Sequence, residues 1–236
     1  RDAMFNMDDS KIFTTCQQEP KGMAVIDVES RKEIKMVPIK GGRAGGMDPQ
    51  GKYFMVSASK SVHFFDSQTA ELVKTIKVPG GGGNFTCLKD GSKCYVGLRK
   101  ANAVGVIDMA KLELMKTIET GPGANRLYLN PGNSRYGLFA NEAGKSDIVS
   151  IIDTQKDVKV KDIWTGLGPH NVAFDPDGKF AVISTKKENV ATLVDTGSAD
   201  PNDWDVITTD LDSGIQNNGV RWVPSPAALK KALAQN

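Results

Sequence analysis

Histidine is nearly missing from this chain. His63 and His170 are the two among 236 residues, and they stand in unlike contexts, so a multi-histidine copper or zinc centre cannot be built from the chain alone. No G-x-S-x-G stretch occurs, which removes the nucleophile elbow of serine hydrolases. AGKS at 143–146 lacks the glycine that a phosphate-binding loop needs five positions before Gly144, where Phe139 stands. The longest apolar runs, such as 103–107, fall far short of the roughly 18 residues that cross a bilayer, and no stretch has a signal-peptide layout. Neither sign of charge dominates: 30 basic and 28 acidic residues leave a net charge of +2. A soluble chain follows, with no membrane span and no nucleic-acid partner.

A repeat fills the space these absences leave. The tight turns DDSK, PQGK, DGSK, GNSR and PDGK end in Lys11, Lys52, Lys93, Arg135 and Lys179, spaced 41, 41, 42 and 44 residues apart. A second marker keeps step with the first: the third apolar run of each unit closes on an aspartate, at Asp27, Asp66, Asp108, Asp153 and Asp195. Within a unit the runs are short, β-branched and aromatic, and bounded by Gly, Pro, Asp or Asn, as in VAFD, KFAVIST, VATLVD and DVITTDL. Four strands in a period of about 42 residues are the layout of β-propeller blades. The fold class is therefore all-β, a propeller of four-stranded antiparallel blades.

The units resemble the YVTN-type β-propeller repeat. Residues 168–196 match its opening and its P-D-G turn, Tyr95 and Val96 in CYVG stand at the YV position, and VKTIKVPG (73–80) and MKTIETGPG (115–123) match its close. The resemblance covers nearly the whole chain and implies the fold. It says little of function, since proteins with such repeats include periplasmic binding subunits, surface proteins and a few cofactor enzymes.

The repeats run at about 1–42, 43–83, 84–124, 125–169 and 170–216, and GVRWVP opens a partial one at 217–225, all within a single propeller domain over 1–225. PAALKKALA predicts about two helical turns in the tail 226–236. A strand around Val220 to Val223, innermost in a further blade, needs partners, because an unpaired strand invites aggregation. The expected native ring has six or seven blades, five of them supplied whole by this chain.

Loops from each outermost strand to the next innermost one lie with the second-to-third-strand loops on one face, here called the top. Aligning the former on the turn markers places Asp2, Arg43, Asn84, Asn125, His170 and Asn218 at one position around the channel mouth. Two readings stand. The ring binds water and satisfies backbone groups in a wet funnel, or it grips a small polar ligand or a protruding partner residue. The other top-face loops carry Arg99, Lys100, Lys186 and Lys187, with Arg126 beside Asn125, and make the face mildly basic. An acidic protein partner would be steered there.

Weaker signals complete the reading. Asp200, Asp203 and Asp205 are a weak calcium candidate, with a solvated loop as the alternative. Cys87 and Cys94 stand opposite each other across a hairpin, where Cβ atoms lie about 4.5–5.5 Å apart against about 3.8 Å in a disulfide, so a bridge and two buried thiols are both open. Cys16 is left over, and His63 belongs in a strand. No catalytic residue and no cofactor is expected on this chain alone. The leading expectation is a non-enzymatic binding or scaffold subunit, periplasmic or extracellular, that joins a hetero-oligomeric redox complex through its top face. The alternatives are an oxidoreductase-type propeller holding a cofactor or small ligand over the channel, and a surface or adhesion protein.

Overall fold

The computed structural model describes residues 2–188 and 190–212. Blade 1 contains β1 (Ala3–Phe5), β2 (Lys11–Cys16), β3 (Gly22–Asp27) and β4 (Lys32–Pro38). Blade 2 contains β5 (Ala44–Met47), β6 (Tyr53–Ser57), β7 (Ser61–Asp66) and β8 (Leu72–Lys77). Blade 3 contains β9 (Phe85–Cys87), β10 (Lys93–Leu98), β11 (Ala103–Asp108) and β12 (Glu113–Glu119). Blade 4 contains β13 (Ala124–Leu129), β14 (Tyr136–Asn141), β15 (Ile148–Asp153) and β16 (Val158–Trp164). Blade 5 contains β17 (Pro169–Phe174), β18 (Phe180–Thr185), β19 (Val190–Asp195) and β20 (Asp205–Asp212), with one turn of 3-10 helix at Pro201–Asp203. Each is a four-stranded sheet whose spatial order follows the chain, as the repeat predicts. The expected strand at 220–223, Asn218 and the tail 226–236 lie outside the described residues.

Both repeat markers turn out to be turn chemistry. The carboxylate of Asp27 accepts from the Ser30 amide at 2.7 Å, Asp66 from those of Gln68 and Thr69, Asp108 from Ala110 and Lys111, Asp153 from Gln155 and Lys156, and Asp195 from Gly197. An aspartate that folds back on the next amides makes the turn independent of tertiary context. The residue four places on from the first four of these aspartates, Arg31, Ala70, Leu112 or Asp157, is left-handed, with φ between 51° and 59°. Such a backbone costs a non-glycine residue about 1–2 kcal/mol, and the aspartate holds it there. Turns between first and second strands work alike, through Asp8, Asp48, Asp90, Asn130 and Asp175. Side-chain and backbone hydrogen bonds from turn serines and threonines hold the carboxyls of Asp8, Asp27, Asp66 and Asp90 below the usual carboxylate range.

The core lies between blades rather than within one. Phe13, Met23 and Val25 of blade 1 meet Phe54, Val56 and Phe65 of blade 2. Alternate residues of the same strands face the other way: Met55 and Phe64 join Cys94, Val96 and Leu98 of blade 3, while Tyr95 and Val106 join Leu127 and Phe139 of blade 4. Leu138 and Ile151 then meet Ile183, Val194 and Trp204 of blade 5. With both faces covered, the middle strands read as near-continuous apolar runs, and all of β14 is buried. The outermost strand of every blade carries a register shift against its neighbour. A bulge of this kind twists the edge away from unwanted pairing.

Blades 3 and 4 approach most closely at Gly97. A Cβ there would lie 2.2 Å from the Asn125 carbonyl oxygen, a backbone atom that cannot yield. Cys94 pairs with Cys87 across the hairpin, and a disulfide joins them with Cα atoms 4.0 Å apart. Of the two alternatives left by the sequence, the structure shows the bridge, which ties the three-residue β9 to β10. Cys16 is free and half-buried.

Three outcomes are expected. Gly97→Ala should lose at least about 2 kcal/mol in urea denaturation. Gly144→Ala, whose Cβ would meet only the tip of Lys187, should stay within about 0.5 kcal/mol. Replacing both Cys87 and Cys94 by serine should cost about 2 kcal/mol, as the model of loop closure in the unfolded chain gives for so short a loop.

Candidate functional site

Second strands end, and first strands begin, on the top face, so residues at or just past the end of a second strand reach the following blade. Gln17 donates to the Arg43 carbonyl at 3.0 Å. Ser57 Oγ accepts from the Gly82 amide at 2.8 Å. At the next junctions the stitches become ionic. Arg99, past β10, donates from Nη1 to Oε2 of Glu142, past β14, at 2.5 Å. The other carboxylate oxygen of Glu142 accepts from Lys186 Nζ, past β18, and lies 3.4 Å from His170 Nε2 on β17. One carboxylate thus collects two fixed cations and an imidazole from the blades on either side.

Glu142 has 8% of its side chain exposed, against 19% for Arg99, 15% for His170 and 31% for Lys186. Burial pushes its carboxyl up, but the hydrogen bonds from Lys186 and Arg99 and the charge of Arg99 outweigh this and hold it at about 2. Tyr128 closes the corner from below, donating to Asn171 Oδ1 at 2.5 Å. Burial pushes its phenol up to about 12, with Arg126 opposing the rise and Glu142 adding to it. Arg126 is exposed and stacks over the Tyr128 ring at 5.3 Å.

Several members of the expected polar ring are paired within the protein. Asp2 accepts from the Gly45 amide, Asn84 donates to Asn125 Oδ1 at 3.3 Å, and Asn125 is buried. Arg43 lies against Gly82, away from the Glu142 cluster's contacts. The reason is local. β13 and β17 each carry an extra residue near their start, with register shifts between Ala124 and Arg126 and between Pro169 and Val172. Asn125 and His170 therefore occupy bulges and are not equivalent to Arg43 and Asn84. Arg99 and Lys186, two of the basic residues expected on this face, are both held by Glu142. Lys100 packs beside Gly80, and Lys187 beside Gly144 and Gly168.

Further out on the same face a cleft of about 700 Å³ between blades 4 and 5 has Asp147, Glu188 and Asp210 in its lining, with no cation among the described lining residues. The cations around Glu142 and the acids of this cleft thus occupy separate parts of the top face. Asp200, Asp203 and Asp205 do not converge. Asp200 accepts from Asn202, Asp203 from Ser198 and Asp205 from the Val206 amide, and among the described residues no group of three His, Cys, Asp or Glu side chains is placed to hold a metal ion. His63 sits in β7 between Ser61 Oγ at 2.9 Å and Thr75 Oγ1 at 3.0 Å, and burial lowers its pKa. On the opposite face, Asp157 accepts from Lys93 Nζ and from the Tyr95 hydroxyl, each at 2.6 Å, and this buried staple joins blades 3 and 4. Among the described residues no helix is long and apolar enough to cross a membrane.

Solved structures share this architecture. Hydrazine synthase from Kuenenia stuttgartiensis aligns over 74% of this chain and 52% of its own, with 24% identity and a TM-score of 0.60. The present chain thus spans about half the length of that relative. A functionally unknown protein from Desulfotomaculum acetoxidans aligns over 88% of this chain and 68% of its own, with 14% identity and a TM-score of 0.68. A protein from Bacteroides fragilis assigned as a 6-phosphogluconolactonase aligns over 90% and 70%, with 19% identity and a TM-score of 0.69. Likeness at these identities shows the propeller fold alone. No protein-family model matches the chain, and no curated protein matches it.

The cluster sets a pH dependence. Because the folded-state pKa of Glu142 is depressed, its stabilisation is fully present above the unfolded value of about 4.3 and is lost as pH falls toward 2. Glu142→Gln should therefore lower the melting temperature at pH 7 and flatten its fall between pH 5 and pH 3, as followed by circular dichroism.

Proposed function

We propose that this chain is a non-enzymatic propeller subunit of the YVTN-repeat type, which presents its top face to a protein partner in a larger redox assembly, in the periplasm or outside the cell. The observation that carries this reading is the charge separation on a stitched face. Inter-blade pairs fix Arg99, His170 and Lys186 in position, while Lys100, Arg126 and Lys187 flank them. Fixed loops on a rigid scaffold give affinity through shape and charge, without moving parts. The disulfide supports an oxidising compartment.

Native mass spectrometry on material from the natural source tests the reading. A heteromeric mass is expected. A monomer that carries a stoichiometric cofactor and turns over a substrate would replace it with the oxidoreductase alternative. Against the co-purified partner, Lys100→Glu with Lys187→Glu should slow association about tenfold and weaken its salt dependence, as measured by stopped flow.

A further inference from the structure

We infer that the corner formed by Arg99, His170, Lys186 and Arg126 is an anchor for a carboxylate side chain in an acidic segment of a protein partner, with Glu142 as the positioning residue that holds its cations ready. The inference rests on the reading of the top face as a partner surface. It goes beyond that reading by naming one subsite and the chemistry it takes.

Charge arithmetic comes first. Arg99 and Lys186 bring two positive charges to Glu142, which returns one negative charge, and His170 adds a further charge when protonated. The cluster is therefore net positive before Arg126 is counted. Arg126 reaches the same corner along Tyr128, whose phenol feels both Arg126 and Glu142. A cluster built only to join blades would need one cation for one carboxylate, as Lys93 and Asp157 show on the opposite face.

Exposure comes second. The carboxylate is the covered member, while Lys186 keeps about a third of its side chain in solvent and Arg126 is exposed. An incoming anion meets the outer sides of the cations without displacing Glu142. The ordering cost of long basic side chains has already been met in the free protein, which favours a tight contact.

The rest of the face selects the source of the carboxylate. The corner is shared by three blades and flanked by Lys100 and Lys187, a spread of charge suited to a chain carrying several acidic residues rather than to one small ion. The acidic cleft lined by Asp147, Glu188 and Asp210 repels such a chain from the periphery and sets its direction across the axis.

The test uses the intact protein and a fluorescein-labelled oligoglutamate peptide, read by anisotropy at about 150 mM salt, where long-range attraction is screened. With two histidines in the sequence, the imidazole resonances give an internal control. Saturating peptide should shift the His170 signal and leave that of His63, across the molecule in β7, unmoved. Arg99→Gln and Lys186→Gln should each weaken binding roughly tenfold, and Glu142→Gln should weaken it as well, because the cations lose the carboxylate that holds them in place. If the Glu142 variant unfolds, the His170 shift and the Lys186→Gln titration decide in its place.

An unmoved His170 at saturation overturns the anchor, and so does an equal response to an oligolysine peptide. Displacement of the peptide by free glutarate at matched carboxylate concentration reassigns the corner to a small organic acid and also overturns it. A heteromeric complex by native mass spectrometry with a silent His170 removes the anchor and leaves the scaffold reading intact. A monomer whose His170 responds does the reverse.

Discussion

Everything in this molecule depends on the burial of both faces of each sheet. A four-stranded twisted sheet of apolar residues cannot stand in water, and no α-helix is present among the described residues to cover it. Each blade therefore covers its neighbours, with successive residues of one strand committed to opposite partners. In β10, Cys94, Val96 and Leu98 serve blade 2, while Tyr95 and the space above Gly97 serve blade 4. This constraint explains why each middle strand serves two interfaces, and why shape at Gly97 matters more than propensity.

Radial packing decides where polar stitching falls. The hydrophobic layers end at the two faces, and there the blades are joined by side chains reaching from one repeat to the next. On the opposite face Asp157 fastens blade 4 to Lys93 and Tyr95 of blade 3, and burial together with the bond to Asp157 pushes the Tyr95 phenol far above its usual range. Near the perimeter Lys35 meets Glu71, Lys74 meets Glu113, and Lys161 reaches the Asn202 and Trp204 carbonyls. Exposed pairs of this kind add little to stability. The Glu142 cluster differs because its carboxylate is covered, so its geometry is enforced by three blades at once.

Strands and turns were legible in the sequence because their causes are local. The closing aspartates and the basic residues after the first turn recur at nearly fixed intervals, and the structure shows the chemistry behind the aspartate marker in the amide contacts of Asp27, Asp66, Asp108, Asp153 and Asp195. Contacts between blades were not legible in the same way. Counting from the turns made Asn125 and His170 equivalent to Asn84, yet a one-residue bulge, invisible in a single sequence, turns the first into the core and the second onto Glu142. A signal for the cluster existed. Arg99, Glu142 and Lys186 each stand just past a second strand, 43 and 44 residues apart, and their charges alternate in sign. Read down consecutive repeats rather than along one, that alternation places an acid between two bases. The exposed Arg126 and Lys187 carry no such periodic mark.

Charge placement also separates stability from recognition on the top face. Glu142 is the buried member of its cluster and contributes through the folded state, so its effect follows pH through the carboxylate range. The surrounding cations are partly exposed and in excess, which is unfavourable for the isolated propeller, because like charges held close together repel. Pairing with a single carboxylate relieves part of that repulsion and leaves a remainder. A scaffold gains nothing from the remainder by itself, since a second acid, or an asparagine of the kind at Asn84 and Asn125, would join the blades as well. The uncompensated charge acquires a use when an anion arrives from outside. The arrangement that makes blades 3, 4 and 5 one unit thereby also defines the place where that unit meets another molecule.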